Sequence, residues 1–298
     1  MRLRVRARGK INWSLDVCGQ RPDGYHVLDM LMSSVSLCDL LTIDEADRLS
    51  LSVSGEGRRF VPASDGNLVL TAARALQEAG KVSAGARIRL RKFIPVGAGM
   101  GGGSSDAAAA LVALNRLWGL NFPTEKLEEI GLTVGADVPF CIRGGFMRVR
   151  GIGEDLTPLP LEKSYAMLMT QPCRGLSTRE VFTALHTEGI PEAERPDNDA
   201  LALALQEGRY AEIKKNMGNV LEAVSREKRP RIGEAVEAFL QEGALCAQMT
   251  GSGSAVFGVF GRVRDMEMAR RRLLERFPDL KAMKTMPCGV EIEEEAQA

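Results

Sequence analysis

The sequence has 298 residues, of which 45% are hydrophobic, and this is enough to bury a sizeable core. Lysine plus arginine and aspartate plus glutamate both number 39, and aromatic residues make up 5%, so nucleic acid is not expected as a partner. Six scattered cysteines without a Cys-x-x-Cys pair, together with two histidines, disfavour a structural zinc site. The basic N-terminus lacks an apolar leader, and no apolar run approaches the roughly 20 residues of a membrane span, so we expect a cytoplasmic protein without a membrane partner.

The N-terminal part of the sequence predicts mostly strands. Residues 2–8 alternate arginine with apolar residues, which is the period of a half-buried strand, and the arginines are interpreted as its solvated face. This strand continues toward Gly19, and residues 21–25 carry a strong turn signal before an apolar segment. Further strands are predicted over residues 40–46, 49–53 and 86–93, and a helix over residues 68–79.

Residues 95–114 contain a dense glycine run, with five glycines between Gly97 and Gly103. Ser104, Ser105 and Asp106 follow as helix-start residues, and an alanine run predicts a helix to about residue 118. A loop that enters a helix N-terminus favours phosphate through free N–H groups and the helix dipole, so we expect a nucleotide phosphate site. Asp106 is interpreted as a complement to that dipole. A flexible linker is the alternative, but linkers rarely enter a helix this well formed.

The second half of the sequence mixes helices and strands without regular alternation. A helix is predicted over residues 124–134 with Thr124 as its N-cap, and residues 135–140 break it. The remaining strands are predicted over residues 141–151, 164–172, 244–261 (with a glycine turn inside) and 282–288. The remaining helices are predicted over residues 177–187 (capped by Ser177), 198–206, 209–225, 231–242 and 263–277. This pattern predicts an α+β protein in two parts rather than a parallel doubly wound sheet, and it ends in the acidic segment 291–298.

Several nucleotide loops can be compared with the glycine run. Gly97, Gly99 and Gly102 match G-x-G-x-x-G, but the dinucleotide version needs an acidic residue at a strand end about 20 residues later. Glu125 is the nearest candidate, and it lies in a helical pattern. No Gly-Lys-Ser/Thr end of a Walker loop is present, and the HRD loop of protein kinases is absent. The glycine run alone therefore does not choose among nucleotide enzymes.

PVGAGMGGGSSDAA, residues 95–108, resembles the P-x-x-x-G-L-G-G-G-S-S-D-A-A loop of the GHMP small-molecule kinases, which include galactose, homoserine and mevalonate kinases. The resemblance implies a two-domain fold, with a ribosomal-protein-S5-like N-terminal domain over residues 1–152 and a ferredoxin-like C-terminal domain over residues 153–298. It also implies ATP with Mg²⁺, and a monomer or homodimer. Met100 stands where the family usually has leucine, and Gly9 where it usually has alanine.

Three further stretches resemble one branch of this family, which acts on a cytidine diphosphate-linked methylerythritol. They are residues 9–32, which contain the Asp-Gly-Tyr-His segment, residues 135–140 and residues 249–260. The resemblance implies ATP-dependent phosphorylation of the 2-hydroxyl of 4-diphosphocytidyl-2-C-methyl-D-erythritol in the non-mevalonate route to isoprenoid precursors. A homoserine or mevalonate-type kinase of the same family is the alternative. A binding module without catalysis is disfavoured by the intact Lys10 and Asp137.

The resemblance also implies roles for single residues. Asp137, which from the residues alone could equally be a cap or turn residue, becomes the base that takes the substrate hydroxyl proton, and Lys10 is expected beside it. Burial would raise the pKa of such a carboxylate, so an opposing charge is needed to keep it ionised. Tyr25 would stack on the cytosine and His26 would hydrogen-bond to it. The other implied substrate residues are Asn12, Gly251, Ser252 and Gly253.

The implied ATP site comprises Pro95, Val96, Gly97, Ala98, Gly99, Met100, Gly101, Gly102, Gly103, Ser104 and Ser105, with Asn67 and Lys92 near the adenine. Ser104 or Ser105 is a candidate Mg²⁺ ligand, but no acidic cluster defines the metal site. Trp13 is bulky for its position next to the substrate residues. His186 lies in a helical pattern and is interpreted as an ordinary surface or core residue.

Overall fold

In the computed structural model, which describes residues 1–185 and 190–294, a long antiparallel strand pair organises the fold. The strands are β1 (Arg2–Gln20), β2 (His26–Ala46), β3 (Ser50–Gly55), β4 (Gly85–Lys92), β5 (Phe146–Gly151), β6 (Asp155–Pro158), β7 (Ala166–Thr170), β8 (Gly218–Asn219), β9 (Cys246–Met249), β10 (Val256–Phe260), β11 (Lys281–Met286) and β12 (Val290–Glu294). The helices are α1 (Leu68–Gly80), α2 (Gly102–Leu117), α3 (Thr124–Val134), α4 (Val138–Arg143), α5 (Thr178–Ala184), α6 (Asn198–Glu207), α7 (Tyr210–Asn216), α8 (Glu222–Lys228), α9 (Arg231–Gln241) and α10 (Val263–Leu273).

The strands of the described chain join in one sheet, whose main order is β12-β1-β2-β11-β7-β10-β9. Most neighbours are antiparallel, while β3 with β4 and β1 with β8 are parallel. The expected α+β class is therefore confirmed. Strands from the C-terminal end return to the start of the chain, since β12 pairs with β1 and β11 pairs with β2. The division into domains at residue 152 stays a prediction.

The alternation over residues 2–8 correctly predicted a strand, but its solvated-face interpretation is wrong for Arg8. Arg6 Nε donates to Glu293 at 2.8 Å, and Arg8, which is only 7% exposed, pairs with Glu291. Both glutamates belong to β12, which occupies the first part of the acidic segment 291–298. The acidic composition of this segment therefore reflects a strand whose glutamates pair with arginines of β1.

The core covers both faces of this sheet. Ala107 and Ala110 of α2 are fully buried, and their small side chains let the helix pack closely against β1. A second cluster contains Trp13, whose ring packs edge-on against Tyr165 and Phe257. Trp13 Nε1 donates to a serine hydroxyl inside this cluster. The bulky indole of Trp13 is therefore a core residue, with 0% exposed surface.

Some predicted element boundaries are wrong. Residues 40–46 continue β2 instead of forming a separate strand, and the segment 209–225 divides into α7, β8 and the start of α8. Residues 141–143 end α4, so the strand predicted over 141–151 begins only at Phe146. Thr124 begins α3 without capping it, whereas Ser177 caps α5 as expected. His186 and the end of the helix predicted over 177–187 lie outside the described residues.

Candidate active site

A cavity of about 1250 Å³ lies beside the glycine loop. Its walls come from the loop, β1, the turn before β2, the segment before α4, α5 and the turn after β9. Most predicted site residues line it: Lys10, Asn12, Tyr25, His26, Asn67, Lys92, Pro95, Val96, Gly97, Ala98, Gly99, Met100, Gly101, Gly102, Gly103, Ser104, Asp137, Gly251 and Ser252. Among the predicted residues, Ser105 and Gly253 are not part of this lining.

The glycine loop enters α2 through backbone conformations that favour glycine. Gly99 and Gly101 have φ of 77° and 66°, in the left-handed region. Gly101 caps α2, so the helix begins at Gly102, and the serines predicted at the helix start lie inside its first turn. Ser105 N donates to Gly101 O at 2.8 Å. In the first turn of a helix, the backbone N–H groups have no carbonyl acceptor within the helix. The N–H groups of Gly102, Gly103 and Ser104 are therefore available to bind an anion in the cavity.

Two backbone segments hold this loop in place. Lys10 N donates to Met100 O at 3.0 Å, and Ala255 N donates to Ala98 O at 3.1 Å. A β-carbon on Gly99 would lie 2.2 Å from Thr250 O, so only glycine permits the close approach of the loop to the 250–253 turn. The loop is therefore fixed between β1 and the C-terminal glycine turn.

Lys10 and Asp137 meet in the cavity. Lys10 Nζ lies 3.8 Å from Asp137 Oδ2 and donates to Asn12 Oδ1 at 2.7 Å. Asp137 precedes α4 without making a side-chain cap, and its side chain is 38% exposed. The expected burial of this carboxylate is therefore wrong. Lys10 is buried, with 6% of its side chain exposed, so a fixed ammonium group faces an accessible carboxylate.

Asn12 connects Lys10 to the C-terminal glycine turn. Its carboxamide oxygen also accepts from Thr250 Oγ1 at 3.3 Å, and its backbone N–H donates to the same hydroxyl. Asn12 is 1% exposed, so these bonds are buried and fix the amide. Ser252, from the same turn, is hydrogen-bonded to Thr178 of α5 at 2.9 Å. The three chain segments therefore hold one another in place beside Lys10.

Lys92 forms a buried cluster with Asp39 and Asp106. Lys92 Nζ lies 2.5 Å from Asp39 Oδ2 and 2.6 Å from Asp106 Oδ2. Burial raises the pKa of Asp106 well above its ordinary value, although Lys92 opposes the shift. Burial alone would lower the pKa of Lys92, yet the two carboxylates raise it. The interpretation of Asp106 as a helix-dipole complement is therefore wrong, because this carboxylate pairs with a buried lysine.

Three aromatic side chains, those of Tyr25, His26 and Phe182, also line the cavity. Tyr25 is 60% exposed at the turn, and the ring of His26 lies 5.0 Å from that of Phe182 on α5. Sequence reasoning missed Phe182, because one phenylalanine in an amphipathic helix has the pattern of a core residue. Its membership of the cavity depends on the position of α5, which no local signal specifies.

Ser105 is buried and engaged elsewhere. Its hydroxyl donates to Arg8 O at 2.8 Å, and its oxygen lies 3.4 Å from Cys141 Sγ. Burial raises the pKa of the Cys141 thiol to about 12, so it stays a protonated thiol. Ser104 is therefore the serine of the pair that faces the cavity.

Across residues 1–185 and 190–294, no group of three or more His, Cys, Asp or Glu side chains could hold a metal ion. In the same part of the chain, no helix has the length and apolar character needed to cross a bilayer.

The chain matches two models of known protein families. Residues 67–145 match the GHMP kinases N terminal domain, and residues 201–279 match the GHMP kinases C terminal domain. Two curated relatives are named 4-diphosphocytidyl-2-C-methyl-D-erythritol kinase. The protein from Pelotomaculum thermopropionicum is 43% identical, covering 89% of this chain and 90% of its own. The protein from Clostridioides difficile is 38% identical and covers 97% of both chains.

Two solved structures share the fold. A 4-(cytidine 5'-diphospho)-2C-methyl-D-erythritol kinase superposes with a TM-score of 0.78 at 31% identity, over 95% of this chain and 99% of its own. A homoserine kinase from Cytophaga hutchinsonii superposes equally well, with a TM-score of 0.78 over 98% and 97% of the chains, but it is only 19% identical. The second likeness therefore shows a common fold and nothing finer.

Proposed function

The chain belongs to the GHMP kinase family, within the branch of 4-diphosphocytidyl-2-C-methyl-D-erythritol kinases, and we propose that it transfers the γ-phosphate of ATP to the 2-hydroxyl of that cytidine compound. The reaction belongs to the non-mevalonate route to isoprenoid precursors. Direct in-line transfer needs positioned phosphates, compensation of their charge and an oriented hydroxyl.

The observation that carries the proposal is the Lys10–Asp137 pair in a cavity that also holds the glycine loop. Asp137 is exposed to that cavity and makes no capping bond, so its carboxylate is free to accept the proton of a hydroxyl. Lys10 stabilises the negative charge near the acceptor oxygen. Asn12 fixes the ammonium group of Lys10 by accepting a hydrogen bond from it.

The nucleotide phosphates bind at the N-terminus of α2. The N–H groups of Gly102, Gly103 and Ser104 receive phosphate oxygens, and the helix dipole adds to their attraction. Asn67 caps α1 by accepting from Val69 N at 2.9 Å, and with Lys92 it forms the wall where the adenine is placed.

Mg²⁺ fits this site as an ion held mainly by phosphate and water, with the Ser104 hydroxyl as the protein ligand that faces the cavity. When bound, it would neutralise phosphate charge.

The acceptor occupies the opposite side of the cavity. Tyr25, His26 and Phe182 form an aromatic group that suits a pyrimidine ring, with stacking from the exposed face of Tyr25. Asn12, Gly251 and Ser252 line the same cavity and are proposed to contact the rest of the acceptor. A homoserine or mevalonate substrate has no base that these rings could hold.

A coupled assay of ADP release tests the proposal with purified protein, ATP and Mg²⁺. We expect turnover of the cytidine compound and at most a trace with homoserine or mevalonate. A folded protein that prefers either of the two simpler alcohols would disprove the proposed substrate.

A further inference from the structure

Arg179 lines the cavity from α5, and no acidic partner in the described part of the chain compensates its charge. Arg179 is exposed to solvent as well as lining the cavity. Thr178, Phe182 and Thr183 of the same helix also line the cavity, so the face of α5 that carries Arg179 is turned toward the ligand space.

The other cations of the cavity are already balanced. Lys10 lies beside Asp137, and Lys92 lies between two buried carboxylates. Both proposed ligands are polyanions, because ATP carries three phosphates and the acceptor carries a diphosphate. Among the described lysines and arginines of the lining, Arg179 is therefore the one whose charge is left for a ligand.

The order of side chains along α5 matches the order of groups in the acceptor. Phe182 contacts the ring of His26, and Thr178 contacts Ser252, which belongs to the turn whose Thr250 is hydrogen-bonded to Asn12, the partner of Lys10. These two positions are separated by about 6 Å of helix, at about 1.5 Å for each residue. Arg179 lies between them, as the diphosphate lies between the cytidine and the methylerythritol.

We propose that Arg179 binds the diphosphate of the acceptor and determines the preference for a nucleoside-diphosphate-linked alcohol. The proposal rests on the function proposed above. The guanidinium donates to phosphate oxygens in a bidentate geometry, which a lysine cannot reproduce. The role is binding, so it affects KM for the acceptor far more than kcat.

The test combines kinetics with calorimetry on three variants. Arg179→Ala should raise KM for the cytidine compound about tenfold, a change of about 1.4 kcal/mol in binding, with KM for ATP and kcat changed less than about twofold. Arg179→Lys should fall between wild type and Arg179→Ala. Arg264→Ala removes an exposed arginine of α10 outside the cavity and serves as the matched control, expected to behave as wild type.

Calorimetry with CDP and with cytidine then separates the contribution of the diphosphate to binding from that of the nucleoside. Arg179→Ala should weaken CDP binding about tenfold and leave cytidine binding unchanged, because cytidine has no phosphate. Equal CDP affinity in wild type and Arg179→Ala, or a rise confined to KM for ATP, would overturn the role of Arg179. Wild-type protein that binds neither CDP nor cytidine, and does not turn over the acceptor, would instead overturn the proposed function.

Discussion

Lys10 Nζ and Asp137 Oδ2 lie 3.8 Å apart, although they belong to opposite ends of the N-terminal half of the chain. The contact exists because β1 and the segment before α4 both border the glycine loop. A β-carbon on Gly101 would lie 3.1 Å from Lys10 Cγ and 3.7 Å from Asp137 Oδ2, so the loop lies against both residues. The phosphate site and the proposed base are thus built as one unit.

Replacement of Asp137 by asparagine should lower kcat at least about 10²-fold, because the amide cannot accept the hydroxyl proton. Binding of ATP, measured by calorimetry, should stay close to that of wild type, since the N–H groups of α2 are unaffected. Asp47→Asn, at an exposed position outside the cavity, is the matched control. A kcat for Asp137→Asn within a few-fold of wild type would assign the proton transfer to another group.

The roles of Lys10 and Asp137 can be separated by a double-mutant cycle. Lys10→Met should also reduce kcat strongly, and the double variant should lose less than the product of the two single losses, since both residues serve the same oxygen. Strictly multiplicative losses in single-turnover rates would mean that the two side chains act independently.

The sequence predicted the parts of this site that depend on local patterns. The glycines at 97–103, the turn at 21–25 and the alternation over 2–8 each have a direct physical signal, and all three features occur in the structure. Pairings between distant segments lack such a signal. The local pattern at Asp106 indicates only a helix-dipole role, because its partner, Lys92, is brought to it only by the packing of α2 on the sheet. Phe182 was missed for the same reason.

Removal of the Tyr25 ring should weaken binding of the cytidine substrate without changing the rate of phosphate transfer. Tyr25→Ala should raise KM for that substrate about tenfold, within the roughly 1–3 kcal/mol that base stacking contributes, while KM for ATP stays unchanged. Tyr25→Phe keeps the ring and should stay within about twofold of wild type. An alanine variant with unchanged KM would remove the stacking role of this exposed ring.

The buried cluster around Lys92 predicts a pH dependence of stability. Burial raises the pKa of Asp106 well above the ordinary value of 3.8, so the folded protein keeps a proton that the unfolded chain has already lost. Its contribution to stability is complete below the unfolded pKa and is lost as the pH rises through the folded pKa. Asp106→Asn cannot ionise, so its free energy of unfolding should decline less than that of wild type as the pH rises above about 4, the pKa of an unfolded aspartate.

Urea unfolding at several pH values would measure this difference. Lys92→Met provides the contrast, because it leaves the buried Asp39 carboxylate without its cation and should cost about 3–5 kcal/mol at neutral pH. Parallel pH curves for wild type and Asp106→Asn would show that Asp106 does not hold the proton in the folded state.

A methyl group added at Gly99 should impair ATP binding, whereas the same addition at Gly19 should have no effect. A β-carbon on Gly99 would lie 2.2 Å from Thr250 O, and its φ of 77° disfavours any side chain, so Gly99→Ala must move the loop away from the 250–253 turn. This displaces the N–H groups that receive phosphate, and KM for ATP should rise at least about tenfold with a lower kcat, since misplacement by about 1 Å can cost 10²-fold. Gly19→Ala, at a position with no atom within 4 Å and an ordinary φ, adds the same group without strain and should match wild type in both thermal stability and kinetics. Normal ATP kinetics in Gly99→Ala would mean that the contact between loop and turn is not needed to position the phosphates.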